Sequence, residues 1–395
     1  MKGVAAGPYD IWIQAASGGE SILADMILNQ LAAIPSGPQK KLRILLTSGT
    51  KEGVDTLSRA ATGNNHILAI TVSYFPFDAP YLMKRAFTVF SPRLAVIIET
   101  ELWPGFLINA KRHNIPVLLL NGRISEKSFR FYRNWPSFFS TYGPKYILAI
   151  STGDQDRFAR LVGTRRVSLM NNIKFDKVQF NTSVENNNLI SRILPTNHPF
   201  VVLGSVRREE ENKIITVIDR LLAERPDIVI GLFPKHVARA NILLQLLKSK
   251  KINAAARTSA ATPVPPGTVI IWDVFGELAG AYSHAKTTFV GGSLVDLGGQ
   301  NFLEPLVFGV KPIIGPFWRD FAWIGREIIE LGLVHEVADE QQLTQTLLRK
   351  INSNESKEDV LSQVQQFLTP RRGGTLQACR LISDTLNSVI ENNEP

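Results

Sequence analysis

Short apolar runs alternate with longer amphipathic stretches along most of the chain. In the first half, the runs at residues 11–16, 42–47, 94–99, 116–120 and 146–151 read as buried strands. The first is followed by a turn at residues 17–19 and a helix over residues 20–33. Near-continuous apolar strands separated by helix-length segments predict a parallel sheet covered by helices on both faces. Between residues 176 and 199 the periodicity lapses into Asn, Thr and Pro, including Glu185, Asn186, Asn187 and Asn188, which predicts a linker. The pattern resumes with strands at 200–203, 228–233, 269–272, 287–290 and 311–314. Two doubly wound units are expected, and in such sheets ligands bind beyond the carboxyl ends of the strands.

At 395 residues the chain can bury a large core in two domains, and 44% hydrophobic with 20% charged residues describes a globular protein. No apolar run approaches the roughly 18 to 20 residues that cross a bilayer. No basic segment followed by an apolar stretch marks a secretory signal. The single cysteine, Cys379, excludes an internal disulfide framework and a multi-cysteine metal site. A reducing, cytoplasmic setting is the expectation. The net charge of +9 directs attention to anionic partners: nucleic acid, acidic lipid or a phosphorylated substrate.

The segment richest in chemistry runs from Phe289 through Gly291, Gly292, Ser293 and Leu294 to Gly298, Gly299, Gln300, Asn301, Phe302, Leu303, Glu304 and Pro305. A strand enters glycine-rich turns and then a helix start, where backbone amides and the helix dipole suit a phosphate. Glu304 suits ribose hydroxyls, although Asn301 and Glu304 also form a capping pair that needs no ligand. Pro234 and Lys235 follow the strand at 228–233, where a lysine suits a donor phosphate. Phe275, Gly276 and Glu277 open a helix whose amides could read a base edge, while Glu277 also suits the helix dipole.

In the first half, Glu20 sits on a strand-to-helix turn, where a carboxylate could take a proton from an acceptor hydroxyl or simply start the helix. Glu99, Glu101 and Trp103 follow a strong buried strand and precede Pro104, a residue suited to a helix start. The acidic pair suits sugar hydroxyls or acid/base work, or else structural pairing with Arg123. Lys174 closes the first domain within reach of a phosphate. Residues 129–139 interleave Phe, Tyr and Trp with Arg130 and Arg133, a mixture suited to a core, a membrane interface or single-stranded nucleic acid.

Taken in order, these segments resemble the transferases that move 3-deoxy-D-manno-octulosonic acid (Kdo) from CMP-Kdo onto lipid A precursors. The strings are Gly18 to Glu20, Glu99 to Pro104, Asn121 to Ser125, Lys174 to Asp176, Phe275 to Leu278, Val290 to Val295 and Gly299 to Pro305. The resemblance implies a GT-B fold, an α/β architecture of two Rossmann-like doubly wound domains facing across a cleft. Residues 1–180 would bind acceptor and 196–375 the CMP-sugar, with 376–395 a helix packing back toward the first domain. It further implies an inverting reaction with no metal and no cofactor beyond the donor substrate. Glu20 would be the general base, with Glu99 and Lys174 stabilising the transition state. Pro234, Lys235, Phe275, Gly276, Glu277, Asn301, Phe302, Leu303 and Glu304 would hold CMP.

The chain departs from the family at Gly18, Lys235, Phe275, Gln300 and the string Ser205 to Glu210, which bears on donor and acceptor identity. The apolar anchor usual before the first strand has no counterpart here. Either the sequence as given is truncated relative to its gene, or the protein is a soluble branch that meets the cytoplasmic face of the inner membrane peripherally through its basic surface. Two other classes stay open. A nucleotide-sugar epimerase would need a second acid/base pair near the donor, and a basic lipid- or nucleic-acid-binding protein would show salt-dependent binding. The expected partners are a CMP-sugar and an anionic lipid, without nucleic acid.

Overall fold

The computed structural model describes residues 5–33, 41–64, 67–180 and 187–391. The chain forms two compact units, residues 1–177 with 371–395, and residues 178–370.

The first unit is built on seven parallel strands: β1 (Tyr9–Gln14), β2 (Arg43–Ser48), β3 (Ala69–Tyr74), β4 (Pro92–Ile98), β5 (Val117–Gly122), β6 (Tyr146–Ala149) and β7 (Val167–Leu169). They lie in the order β3-β2-β1-β4-β5-β6-β7. Ile11 pairs with Ile44 on one side and Leu94 on the other, which fixes the two faces. Ile11, Ile13, Ile44, Leu46, Leu94 and Val96 pack with Leu23 and Ile27 of the helix Gly18–Ala33. Trp12, Leu45, Ala95 and Ile97 point the other way, toward Phe87, Phe90 and Phe106. Central strands buried on both faces have no polar positions to alternate with, so they read as continuous apolar runs.

The helix Gly374–Glu391 returns to this unit. Its Ala378, Cys379, Ile382 and Leu386 join the cluster around Ile27. Asp176 fastens its start, accepting hydrogen bonds from the Gly373 amide at 2.6 Å, the Thr375 amide at 2.7 Å and the Thr375 hydroxyl at 2.6 Å. A carboxylate there also suits the positive end of the helix dipole.

The second unit repeats the plan with β8 (Phe200–Val206), β9 (Val229–Pro234), β10 (Ala254–Ala256), β11 (Val269–Ile271), β12 (Thr287–Val290), β13 (Pro312–Ile314) and β14 (His335–Glu336). All pairs are parallel, in the order β10-β11-β9-β8-β12-β13-β14. Strand order therefore reverses between β1 and β4 in one sheet and between β8 and β12 in the other. Those two crevices are where a doubly wound sheet binds ligands.

Four strands go beyond the sequence expectation: β3, β7, β10 and β14. Each edges its sheet. The residues of β3 are at best half-buried, and the other three are two or three residues long, too short to carry a period. The expected linker also differs. Glu185 and Asn186 lie outside the described residues, but a helix, Asn187–Ile193, follows, and Ile190 and Ile193 are buried against Phe200 and Trp272. That stretch is already part of the second core.

Candidate active site

In the first unit, the loops after β1, β4 and β5 and the turn after β7 bring the chemistry together. The helix Gly18–Ala33 begins immediately beyond β1, and Glu20 lies in its first turn, where its Oε2 accepts the Ala16 amide at 2.5 Å. The residue is 8% exposed. Burial lifts its carboxyl from 4.5 to about 7; the Ala16 amide opposes this, and the nearby carboxylates Glu101 and Glu99 add to it. A carboxyl poised there exchanges protons near neutral pH, as a general base requires.

Across the crevice, Glu99 follows directly on β4 in a left-handed conformation, φ 63°. Such a backbone is unfavourable for a residue with a Cβ and persists only where surrounding contacts enforce it. Here the contacts are charged. Glu99 Oε1 lies 2.8 Å from Lys174 Nζ and Oε2 lies 2.9 Å from Arg123 Nε. Two cations thus share one buried carboxylate. Glu101 is half-buried, and burial with Glu99 nearby raises its carboxyl pKa.

The loop that carries Arg123 is pinned from two sides. Asn121, also left-handed at φ 55°, accepts the Ile173 amide at 2.9 Å and so ties this loop to the turn bearing Lys174. Asp154 accepts the Ile124 amide at 2.8 Å. The amide nitrogens Asn121 Nδ2 and Asn172 Nδ2 are buried without a partner beside this group. Thus Glu99 and Lys174 meet directly, and Glu20 shares their electrostatic environment.

In the second unit, Pro234 ends β9 and Lys235 follows it, Phe275 to Glu277 follow β11, and Asn301 to Glu304 follow β12. All lie at or beyond carboxyl ends of strands in one sheet. Lys235 is exposed, and its amide donates to the Val206 carbonyl at 2.8 Å. Phe275 is 91% exposed beside Gly276, which takes φ 91°. Glu277 is engaged inside the unit: it accepts from Trp272 Nε1 at 2.7 Å and pairs with Arg257 at 3.0 Å. Asn301 Oδ1 accepts the Leu303 amide at 3.2 Å, and its side-chain amide donates to Glu304 at 3.4 Å. Phe302 is fully buried against Trp318 and Phe321, so its side chain serves the core. Leu303 is buried too, whereas Asn301 and Glu304 are exposed.

The glycine turn after β12 corrects one expectation. Its amides do not await a phosphate, because the Glu210 carboxylate already occupies them. Glu210 Oε2 accepts Gly292 N–H at 2.6 Å and Arg207 N–H at 3.2 Å; Oε1 accepts Ser293 N–H at 2.9 Å and Leu294 N–H at 2.8 Å. The residue is fully buried. Gly291 is needed for this closure, since a Cβ there would stand 2.7 Å from the Ser205 carbonyl oxygen. Gly292 is needed for its φ of 71°. The sequence signal for Glu210 was an acidic residue just past a central strand, in the string Ser205 to Glu210.

The aromatic stretch at 129–139 splits. Phe129 and Phe139 are buried in the first core, whereas Phe131 and Trp135 are 64% and 59% exposed beside exposed Arg130 and Arg133. No described helix is long and apolar enough to cross a membrane.

Two such sheets make the GT-B fold of glycosyltransferases. The chain superposes on a glycosyltransferase from Rickettsia africae with a TM-score of 0.62 at 11% identity, over 96% of this chain and 99% of that one. For Anabaena HepE, solved with UDP and glucose, the TM-score is 0.54 at 14% identity, with 96% and 99% covered. Sequence then specifies the family. The family model described as 3-deoxy-D-manno-octulosonic-acid transferase (kdotransferase) matches residues 2–177. The 3-deoxy-D-manno-octulosonic acid transferase of Rickettsia felis is 30% identical over 97% of this chain and 76% of its own length. That of Haemophilus influenzae is 29% identical over 98% and 88%. The chain belongs to the Kdo transferase family and is a glycosyltransferase.

Proposed function

We propose that this enzyme transfers Kdo from CMP-Kdo to a hydroxyl of an anionic lipid A precursor, with inversion and without a metal ion. The observation that carries the mechanism is Glu20, a buried carboxylate with its pKa lifted to about 7, at the strand-order reversal beside Glu99. In the step proposed, the acceptor oxygen bonds to the anomeric carbon while that carbon's bond to the CMP phosphate oxygen breaks. The bonding pair leaves on CMP, and the acceptor proton passes to Glu20. One carboxylate on the attacking face suffices for an inverting displacement.

Lys174 and Arg123, held by Glu99, supply positive charge for the anionic reactants; a charge fixed before reaction stabilises a transition state without reorganising. On the donor side, Lys235 meets the phosphate, Phe275 and Gly276 present a face and an amide to the base, and Asn301 and Glu304 take the ribose hydroxyls. Glu210 holds the turn between them in shape. Peripheral contact with the inner membrane is supported by exposed Phe131 and Trp135 next to Arg130 and Arg133, since aromatic and cationic side chains suit an anionic interface.

The test is CMP release from CMP-Kdo with a tetraacylated lipid A precursor, in EDTA. Release that requires acceptor and disappears in Glu20→Gln supports both the transfer and the base. CMP binding without release under these conditions would rule out this donor–acceptor pair or the metal-free reaction, and adding Mg²⁺ separates the two.

A further inference from the structure

The second unit holds a cavity of about 140 Å³ at the edge of its sheet opposite the donor loops, lined by Lys286, Thr287, Lys311, Lys350, Glu355 and Lys357 among others. Lys286 and Thr287 stand at the start of β12 and Lys311 just before β13, whereas Gly291 to Glu304 follow the end of β12. The four residues of β12 put roughly 13 Å between the two edges.

Four ammonium groups line this space with one carboxylate, Glu355, while Glu358 acts on Lys357 from outside the lining, so the positive charge stays in excess. Glu355 lies 2.6 Å from Lys311 Nζ and 3.5 Å from Lys350 Nζ. Lys357 donates to a neutral acceptor, the Ser283 carbonyl, at 2.5 Å. Neither Lys286 nor Lys357 forms a salt bridge among the described residues. The Lys311 side chain is only 10% exposed, so water does little to screen it. Thr287 is 2% exposed, and its Oγ1 has no hydrogen-bond partner. The local field registers on the neighbours. Burial, then Lys350 and Lys311, push His335 down to about 4. Burial depresses Lys357; Glu358 opposes this and Lys286 adds to it.

Uncompensated positive charge and an unpaired buried hydroxyl both oppose folding unless something completes them. A group with several anionic acceptor oxygens does so at once, taking charge-assisted bonds from the lysines and one from the hydroxyl. We propose that this cavity binds a phosphate group, at a site separate from the nucleotide loops. The phosphate belongs either to a small soluble anion or to a phospholipid headgroup.

The experiment titrates inorganic phosphate into the full chain with CMP saturating the donor loops. Melting temperature is followed against sodium chloride of equal ionic strength. Lys286→Ala is the variant to use, because its side chain is exposed and holds no other element. In parallel, sedimentation with phosphatidylglycerol vesicles is compared with phosphatidylcholine vesicles. A saturable rise with phosphate, needing about tenfold more phosphate in the variant, assigns a soluble anion. Selective vesicle binding that weakens about tenfold in the variant, with no response to free phosphate, assigns a headgroup. No saturable phosphate response, together with vesicle binding unchanged by Lys286→Ala, overturns the proposal. So does a phosphate response identical in both proteins.

Discussion

Replacing Glu20 by Gln should remove catalysis and stabilise the fold in the same stroke, with a pH signature that follows from where the carboxyl sits. Its pKa rises from 4.5 to about 7, chiefly because burial penalises the ionised form. That difference corresponds to about 3 kcal/mol between protonation states, and residual solvent contact trims it to about 2–3 kcal/mol. A carboxyl that binds its proton more tightly folded than unfolded favours the fold below pH 4.5. That contribution is lost as pH climbs through 7. Glutamine keeps the shape and an oxygen for the Ala16 amide but carries no charge. Urea unfolding at a series of pH values should therefore show the two proteins nearly equal at pH 4.5 and the variant more stable by about 2–3 kcal/mol at pH 8. Turnover should fall by about 10²- to 10⁴-fold, and wild-type kcat/KM should drop below pH 7 as one proton is taken up. A stability gap that stays flat over this range would refute the burial of an ionised carboxylate. Retained turnover would refute its role as base.

The remaining expectations separate scaffold from site. Glu210→Ala strands three buried amides and the part-buried one of Arg207, and should destabilise by about 3–5 kcal/mol, read by urea unfolding, with CMP affinity lost as the turn loosens. Phe275→Ala should leave stability within about 0.5 kcal/mol while raising KM for the donor, because its ring is 91% exposed. Asp176→Ala removes three bonds to the final helix and should cost about 2 kcal/mol, seen as faster hydrogen exchange over residues 374–391. Lys174→Met should lower kcat more than stability, since Arg123 still accompanies Glu99; equal CMP-release rates would remove Lys174 from the reaction.

The alternation of apolar runs located the central strands of both sheets because those strands are covered on both faces. It passed over β3, β7, β10 and β14, whose half-exposed or two- and three-residue lengths offer no period. Strand ends were legible for a related reason: Glu99 is the first polar position after one buried strand, and Glu20 lies in the first turn of the helix that follows another. Their consequences were not legible. The pairing of Glu99 with both Arg123 and Lys174 brings together three loops. The capture of the Gly292 to Leu294 amides by Glu210 spans 82 to 84 residues of sequence. From the sequence alone, glycine turns made for a phosphate and glycine turns closed on an internal carboxylate look alike.

The return of the helix Gly374–Glu391 to the first unit sets an order of assembly. During synthesis the first unit emerges early, yet the surface around Leu23 and Ile27 has to wait for Ala378, Cys379, Ile382 and Leu386. Roughly 190 residues of the second unit intervene, a delay on the order of 10 to 40 s at ordinary ribosomal rates. For that interval the nascent chain carries an uncovered apolar groove, a natural client surface for chaperones. Shortened transcripts or proteolytic clipping within the last twenty or so residues would accordingly injure the half of the enzyme encoded first, leaving the later half able to fold.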